Sequence, residues 1–392
     1  MNTTQSQLTA LLAAAVSNPN LTIDKNLLSD ELLSEARAQC VSALLYCAVS
    51  PSDEDVRKEW KTYCLGTILH FRKILKVQSC LTELLISHGI TPVILKGSAA
   101  GIAYPHPERR AYGDIDFFVK EAQFEQALSI LRENGFSHSQ EIRSYERHIN
   151  LEKDGVKLEF HRFWCNNDSW DSPVHGDELN RRVFDAEPVE ASVSNHRFFM
   201  LPTTENGLVL LQHINQHIAH GLGLRQILDW MLYVRANLTD DDWNRGFRDA
   251  AEYFGLKQLA VVISHMCMMY LGLEERAWYR DADESTCREL MDYILASGNF
   301  GTNLAHGASR KVQTVISSNR TLSGYFRHFQ LSGIVHWPAA EKHKCLRPFA
   351  WIYGLGRCIC LGLKRKNPIK ELLSEMRTAK KRKKLLHKIR DQ

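Results

Sequence analysis

The sequence predicts an α+β protein in which a small mixed or antiparallel sheet is preceded and followed by helical regions. Residues 53–88 repeat apolar side chains every three or four positions, which is the spacing of an amphipathic helix. Residues 90–95 and 114–119 are short runs rich in Ile, Val and Phe, typical of buried strands. Asp154-Gly155 separates two further runs and is a favoured turn of an antiparallel hairpin.

At 392 residues the chain exceeds what a single hydrophobic core usually fills, so we expect several domains. The pattern divides it into an N-terminal helical region (1–87), a sheet-containing core (88–165), a mainly helical domain (166–363) and a basic amphipathic tail (364–392). Residues 300–350 have too little periodicity for an assignment.

The positive charge of the chain is concentrated in the tail. Residues 364–392 hold twelve basic and three acidic side chains, a charge of +9, which leaves −5 on the rest of a chain whose total is +4. An anion bound by the body must therefore be held by local donors and metal ions. The tail is either a nucleic-acid or anionic-surface contact or a solvated charged face, and it lacks aromatic residues for stacking on bases.

The N-terminus lacks a basic leader with a cleavage site, and no apolar run approaches the roughly 18 to 20 residues of a membrane span. We therefore expect a cytoplasmic protein without a membrane span.

Two aspartates stand in the second strand pattern. Successive side chains of a strand point to opposite faces, so Asp114 and Asp116 share one face and Ile115 and Phe117 the other. Two neighbouring carboxylates repel each other, and a cation between them would remove that repulsion. The pattern predicts a divalent metal site. Alternatively, the two aspartates lie on the solvated face of an edge strand.

A third carboxylate lies in the second strand of the hairpin. Glu159 shares a face with His161 and joins the aspartates if the two strands are neighbours; otherwise it belongs to the polar outer face of the hairpin. Carboxylate oxygens suit Mg²⁺ or Mn²⁺, which bind substrate phosphates through their remaining positions. We predict that Asp114 and Asp116 hold the metal, and that Glu159 completes the site or acts as a base.

A phosphate-binding turn is predicted upstream of these carboxylates. Lys96-Gly97-Ser98 joins a strand to a helix, where Gly97 allows close backbone approach and the first amides of the helix face an anion. Arg110 could pair with phosphate oxygens in a bidentate way. The alternative for Lys96 is a pair with a neighbouring carboxylate.

The order of these motifs resembles the uncharacterised nucleotidyltransferase family of the polymerase-beta-like superfamily. That superfamily has a Gly-Ser after a strand, an Asp-x-Asp between hydrophobic residues, and a later carboxylate on a strand. The matching segments here are Ile94-Leu-Lys-Gly-Ser98, Tyr104-Pro105, Arg110, Gly113-Asp-Ile-Asp-Phe-Phe-Val119 and Leu158-Glu-Phe-His161. Glu159 stands where the family often has Asp.

The resemblance covers roughly residues 70–235 and extends into the helical part. There the family's His-rich and Leu-Arg-x-x-x-Asp patterns match His213, His217, His220, Arg225 and Asp229. From this resemblance His161, His217 and Arg225 are candidate substrate contacts.

The resemblance implies transfer of a nucleoside monophosphate from a nucleoside triphosphate, such as ATP, with release of pyrophosphate. We expect the acceptor to be a hydroxyl group of an unidentified small molecule or protein. Two alternatives stay open, a tRNA-modifying enzyme that uses the basic tail and a catalytically silent nucleotide-binding module.

Overall fold

A computed structural model gives the fold of the chain. It describes residues 1–18, 20–46, 58–138, 147–165 and 173–299, and toward the C-terminus residues 326, 329–330, 332–334, 336–363 and 384–389. The helices before the sheet are α1 (Thr3–Ser17), α2 (Asp30–Ala38), α3 (Ser42–Tyr46) and α4 (Lys58–Ser87). The 30-residue helix α4 confirms the helical spacing of residues 58–87, whereas 53–57 lie outside the described residues.

Strands and helices alternate through the middle of the chain. They are β1 (Val93–Leu95), α5 (Gly97–Gly101), β2 (Ile115–Phe118), α6 (Phe124–Glu133), β3 (Ser137–His138), β4 (His148–Lys153), β5 (Val156–His161), α7 (Gly176–Asp185), β6 (Val189–Val193) and β7 (His196–Met200). Further helices follow, α8 (Thr203–His220), α9 (Leu224–Asn237), α10 (Asp240–Asp242), α11 (Arg248–Tyr253), α12 (Lys257–Leu271), α13 (Glu284–Ser297), α14 (Pro338–Lys342) and α15 (Ala350–Leu363). The α+β prediction is confirmed.

The strands form one mixed sheet in the order β3-β4-β5-β2-β1-β7-β6. β2 pairs antiparallel with β1 and parallel with β5, and β1 pairs parallel with β7. The predicted hairpin is β4–β5, in which Asp154 and Gly155 both adopt the positive φ that its tight turn requires.

The sheet extends past residue 165, because β6 and β7 join its other edge. Their turn is Ser194-Asn195, and both residues have positive φ. Asn tolerates this conformation, but Ser-Asn is a weaker hairpin signal than the Asp-Gly of the first hairpin. Sequence reasoning therefore missed this hairpin and ended the sheet-containing core at residue 165.

Helices cover both faces of the sheet. On one face, α4 and α6 pack against β2 and β5, where the Phe117 and Phe160 rings stack with centroids 4.6 Å apart. On the other face, Leu95, Phe118 and Trp164 join the core of the remaining helices. Because side chains alternate along β2, Asp116 lies on the same face as Phe118. The site is thus enclosed between the sheet and the C-terminal helices.

The tail is described only at residues 384–389, which are helical; its other residues lie outside the described part. Leu385, Leu386 and Ile389 are buried in the main core, and Lys388 Nζ lies 2.8 Å from Glu289 on α13. This stretch is therefore a packed part of the protein, not a solvated charged face.

Replacing a buried leucine of this segment should destabilise the whole protein. Leu386 is 3% exposed, so Leu386→Ala should lower the free energy of unfolding by about 2 to 5 kcal/mol. Lys384→Ala, at an exposed position of the same segment, should change it by less than about 0.5 kcal/mol. Urea denaturation measures both, and equal stability of the two variants would contradict the packing of this segment.

Candidate functional site

Strand register brings the predicted carboxylates together. On β2, Asp116 is the cross-strand partner of Leu95 on β1 and of Glu159 on β5. Asp114 lies just before β2, and its pKa responds to the charges of both Asp116 and Glu159. Neighbouring residues of parallel strands point to the same face of the sheet. Asp114, Asp116 and Glu159 therefore belong to one cluster.

Lys96 neutralises part of this cluster. It follows the last residue of β1, and the pairing of Leu95 with Asp116 places its Nζ 2.8 Å from Asp116 Oδ1. Its backbone has a positive φ of 50°, a region that non-glycine residues rarely adopt. The ammonium also lies over the Trp164 ring, 5.0 Å from its centroid. Lys96 thus pairs with a neighbouring carboxylate, which is the alternative that the sequence left open to phosphate binding by this side chain.

His161 is the second partner of Asp116. Its Nε2 donates to Asp116 Oδ1 at 2.9 Å and lies 3.5 Å from Glu159 Oε2. Burial alone would raise the pKa of Asp116, but Lys96 and the hydrogen bond from His161 lower it well below its usual range. Asp116 therefore remains a carboxylate at neutral pH.

The other two carboxylates differ in their environments. The pKa of Asp114 is raised by burial and by the charge of Asp116, and Lys96 offsets this only in part. Burial also opposes ionisation of Glu159, but the neighbouring imidazole of His161 and the charge of Lys96 lower its pKa overall. Asp114 thus lacks a positive partner strong enough to offset its burial.

This electrostatic arrangement fits a divalent cation. Three clustered carboxylates have Lys96 as a nearby cation, and burial and the charge of Asp116 raise the pKa of Asp114 by more than Lys96 offsets. Mg²⁺ and Mn²⁺ take carboxylate oxygens as ligands, so the residues suit either ion. Asp114 and Asp116 would hold it, with Glu159 beside them.

Aromatic and imidazole rings line the side of the cluster that faces α8. The His161 and Trp164 centroids are 5.4 Å apart, those of Trp164 and His213 6.4 Å, and those of His213 and His217 4.3 Å. Burial and the charge of Lys96 hold the pKa of His213 well below its usual range, so this imidazole is neutral. These rings form a row of contacts from His161, beside the carboxylates, to His217. The side chain of His220 lies outside the described part.

The predicted phosphate-binding turn is only partly open to a ligand. The Ser98 hydroxyl is buried and donates to Gln78 Oε1 at 2.7 Å. Gly97 has a positive φ of 35°, and a Cβ on it would lie 3.9 Å from the carbonyl oxygen of Asp114. The hydroxyl therefore fixes the turn against α4, while the Gly97 backbone lies beside the carboxylate strand.

The two arginines of the expected site have different surroundings. Arg110 makes a buried bidentate pair with Asp229, with Nε–Oδ1 and Nη2–Oδ2 distances of 2.7 Å, and the Tyr104 hydroxyl also donates to Asp229. The bidentate partner expected for Arg110 was a phosphate; the structure gives a protein carboxylate. Arg225 Nη1 donates to the Ala111 carbonyl at 3.1 Å, and a Cβ on Gly113, the residue before Asp114, would lie 4.0 Å from this nitrogen. Arg225 is thus the arginine nearer the carboxylates.

Sequence reasoning missed His148 and Trp164. A signal for His148 was present, because the Asp154-Gly155 turn fixes a register that pairs His148 with His161. No comparable pattern indicates Trp164, which follows the end of β5 and reaches the site through tertiary packing.

Comparison with known proteins gives two matches. The model of a family described as uncharacterised nucleotidyltransferase matches residues 26–272. A crystal structure of an antigenic nucleotidyltransferase-like protein from Paracoccidioides brasiliensis is similar at 14% identity with a TM-score of 0.32, over 52% of this chain and 94% of that one. No curated protein matches the chain.

Removing the carboxylate of Asp229 should destabilise the fold, because it leaves the charge of Arg110 buried without its partner. Asp229→Asn should lower the free energy of unfolding by about 3 to 5 kcal/mol. Asp249→Asn breaks an exposed pair with Arg248 and should lower it by less than about 1 kcal/mol. Denaturant unfolding compares the two variants, and similar losses would show that the pair at Arg110 is not buried.

Proposed function

The chain belongs to the uncharacterised nucleotidyltransferase family, and we propose that it is a metal-dependent nucleotidyltransferase acting on a hydroxyl acceptor. The reaction would move a nucleoside monophosphate from a nucleoside triphosphate and release pyrophosphate. The observation that carries the proposal is the pairing of Asp116 with Glu159 across β2 and β5, with Asp114 beside them. Such a cluster is the ligand set that a metal–triphosphate complex requires.

Asp114 and Asp116 would bind Mg²⁺ or Mn²⁺ together with the triphosphate. When bound, the ion supplies positive charge for the phosphate oxygens and for the departing pyrophosphate. Lys96 adds a fixed cation, and its pair with Asp116 keeps the ammonium at the carboxylates. Arg225 adds a second cation from α9, on the side of Asp114. These side chains offset the repulsion that the acidic body exerts on a phosphate.

Glu159 serves the acceptor side. The acceptor oxygen forms a bond to the α-phosphorus while the bond from that phosphorus to the bridging oxygen breaks, and pyrophosphate carries away the electron pair. Glu159 would either receive the hydroxyl proton on its carboxylate or hold an acceptor-side ion, in which case the proton would pass to water. Its side chain is 22% exposed, whereas that of Asp116 is 4% exposed, so Glu159 is the more accessible to an incoming acceptor.

The ring-lined side of the cluster would shape the acceptor site. Trp164 is 1% exposed and its ring covers the Lys96 ammonium, and such burial strengthens electrostatic interactions. His161 orients Asp116 through its hydrogen bond, and His217 lies further along the row of rings. We propose His161 and His217 as substrate contacts on this side.

The alternative of a tRNA-modifying enzyme gains no support from the described part of the tail. There, Lys388 pairs with Asp283 and Glu289 of the protein itself.

None of the helices that the structure describes combines the length and the apolar character of a membrane span.

Asp114→Asn should abolish metal–nucleotide binding and also stabilise the protein without ligands. The pKa of Asp114 is raised in the folded state. The contribution of this carboxyl group to the free energy of unfolding is therefore fully present below its pKa in the unfolded chain, and it is lost as the pH rises through its pKa in the folded protein. At neutral pH the charge is therefore a cost, which Asn removes. We expect at least about a 100-fold loss of Mg²⁺-dependent affinity for a non-hydrolysable triphosphate, together with an equal or higher Tm.

Calorimetry and thermal unfolding of the same preparations measure both effects. Asp154→Asn is the matched control, because it removes an exposed charge at a turn where Asn tolerates the backbone. Asp116→Asn is a less clean variant, since it also removes the carboxylate that Lys96 contacts at 2.8 Å and so should lower stability. Unchanged nucleotide affinity in Asp114→Asn would sink the metal-site proposal.

Glu159→Gln should separate binding from catalysis. If the two aspartates carry most of the metal–triphosphate binding, the variant retains nucleotide affinity and loses transfer, because the acceptor oxygen is no longer activated. The measurement is transfer of labelled nucleoside monophosphate by wild type and variant, with Glu152→Gln, at an exposed position on the same face of the hairpin, as control. Transfer at the wild-type rate by Glu159→Gln would show that Glu159 has no role in catalysis and is only a polar residue of the hairpin surface. Tight Mg²⁺–nucleotide binding without transfer to any acceptor in a broad screen would favour a silent binding module.

A further inference from the structure

The β4–β5 hairpin carries two imidazoles close to Glu159. His148 on β4 and His161 on β5 are cross-strand partners, and Glu159 precedes His161 by two residues on the same strand face. Each of these three side chains offers one ligand atom such that all three atoms lie within 4.8 Å of one another. Within the described residues this group shares only Glu159 with the carboxylate cluster of Asp114 and Asp116.

Two distances within this group are close to the spacing of ligands around an ion. His148 Nε2 lies 3.5 Å from Glu159 Oε1, and His161 Nε2 lies 3.5 Å from Glu159 Oε2. Both separations exceed the usual 2.7 to 3.2 Å of a hydrogen bond to oxygen. Ligand atoms bonded at roughly 2.0 to 2.1 Å to a tetrahedral ion are about 3.3 Å apart. The two separations from Glu159 are already close to this value, and the three ligand atoms, which lie within 4.8 Å of one another, would draw together around a bound ion.

We propose that His148, Glu159 and His161 form a binding site for a divalent transition-metal ion, of which Zn²⁺ is the representative. Imidazole ligands suit Zn²⁺ and its neighbours, whereas Mg²⁺ prefers oxygen. Three protein ligands leave a fourth position of the ion for water or for a hydroxyl group. This site goes beyond the Mg²⁺ or Mn²⁺ of the proposed transfer reaction, and its occupation does not require a nucleotide.

The surroundings suit such a site. His161 is fully buried and packs against Trp164, so its ring orientation is fixed, whereas the side chain of His148 is 21% exposed and leaves a path from solvent. An ion bound at His161 Nε2 replaces the hydrogen bond to Asp116, which retains its pair with Lys96. The ion would lie on the same side of the sheet as Asp116, at the proposed acceptor side of the nucleotide site.

The site can be tested with Co²⁺, whose visible absorption intensifies when protein ligands hold it in four- or five-coordinate geometry. The full-length protein, freed of metal by a chelator and without nucleotide, should bind one Co²⁺ with such a spectrum. Zn²⁺ should displace the Co²⁺ and excess Mg²⁺ should not. His148→Ala and Glu159→Gln should each weaken binding at least about 100-fold, whereas Glu152→Gln on the same hairpin should bind as wild type.

Several results would overturn the site. The site would be refuted if the protein bound no Co²⁺ saturably, if His148→Ala bound Co²⁺ with wild-type affinity, or if Mg²⁺ displaced the Co²⁺ completely. It would also be refuted by a thiolate charge-transfer band, which would assign the ion to an exposed cysteine such as Cys80. Circular dichroism establishes that the variants are folded, and His148→Asn replaces His148→Ala if the latter is not. Loss of Mg²⁺–nucleotide binding with intact Co²⁺ binding would refute the proposed function alone, and the converse would refute this site alone.

Discussion

The parallel pairing of β2 with β5 is the constraint on which the site depends. It places Asp116 directly beside Glu159, although the two residues are 43 positions apart in sequence. A shift of one residue in this pairing would turn the side chains of β5 to the opposite face and move Glu159 away from Asp116. The apolar partners on the other face oppose such a shift, because Phe117 and Phe160 are also register partners and their rings stack in the core.

The balance of charge then divides the carboxylates into two roles. Asp116 is compensated within the protein by Lys96 and His161, and so contributes to the stability of the fold. Asp114 is held near it without equivalent compensation, and so weakens the fold at neutral pH. Active sites commonly retain groups that cost stability because their charge is needed for ligand binding. The buried pair of Arg110 with Asp229 has the opposite character, since its charges offset each other.

The sequence predicted those parts of the fold that depend on local signals. Helical spacing indicated α4, and the Asp154-Gly155 turn indicated the β4–β5 hairpin and its register. The turn at Ser194-Asn195 lacks glycine, and the hairpin it joins was missed. Side-chain pairs that form only in the tertiary structure could not be predicted from the sequence either. Alternation along a strand indicates which face a carboxylate occupies, but not that Lys96 pairs with Asp116 or that Asp229, 119 residues from Arg110, takes the place of a phosphate.

We propose above all that Asp114 and Asp116 hold a metal ion together with a nucleoside triphosphate. The most direct measurement is an anomalous-scattering map of crystals grown with Mn²⁺ and a non-hydrolysable triphosphate. We expect a Mn²⁺ peak bonded to carboxylate oxygens of Asp114 and Asp116 and to the triphosphate, beside the Lys96–Asp116 pair. A triphosphate bound elsewhere, or one that lies in this site with no Mn²⁺ peak at either aspartate, would contradict it.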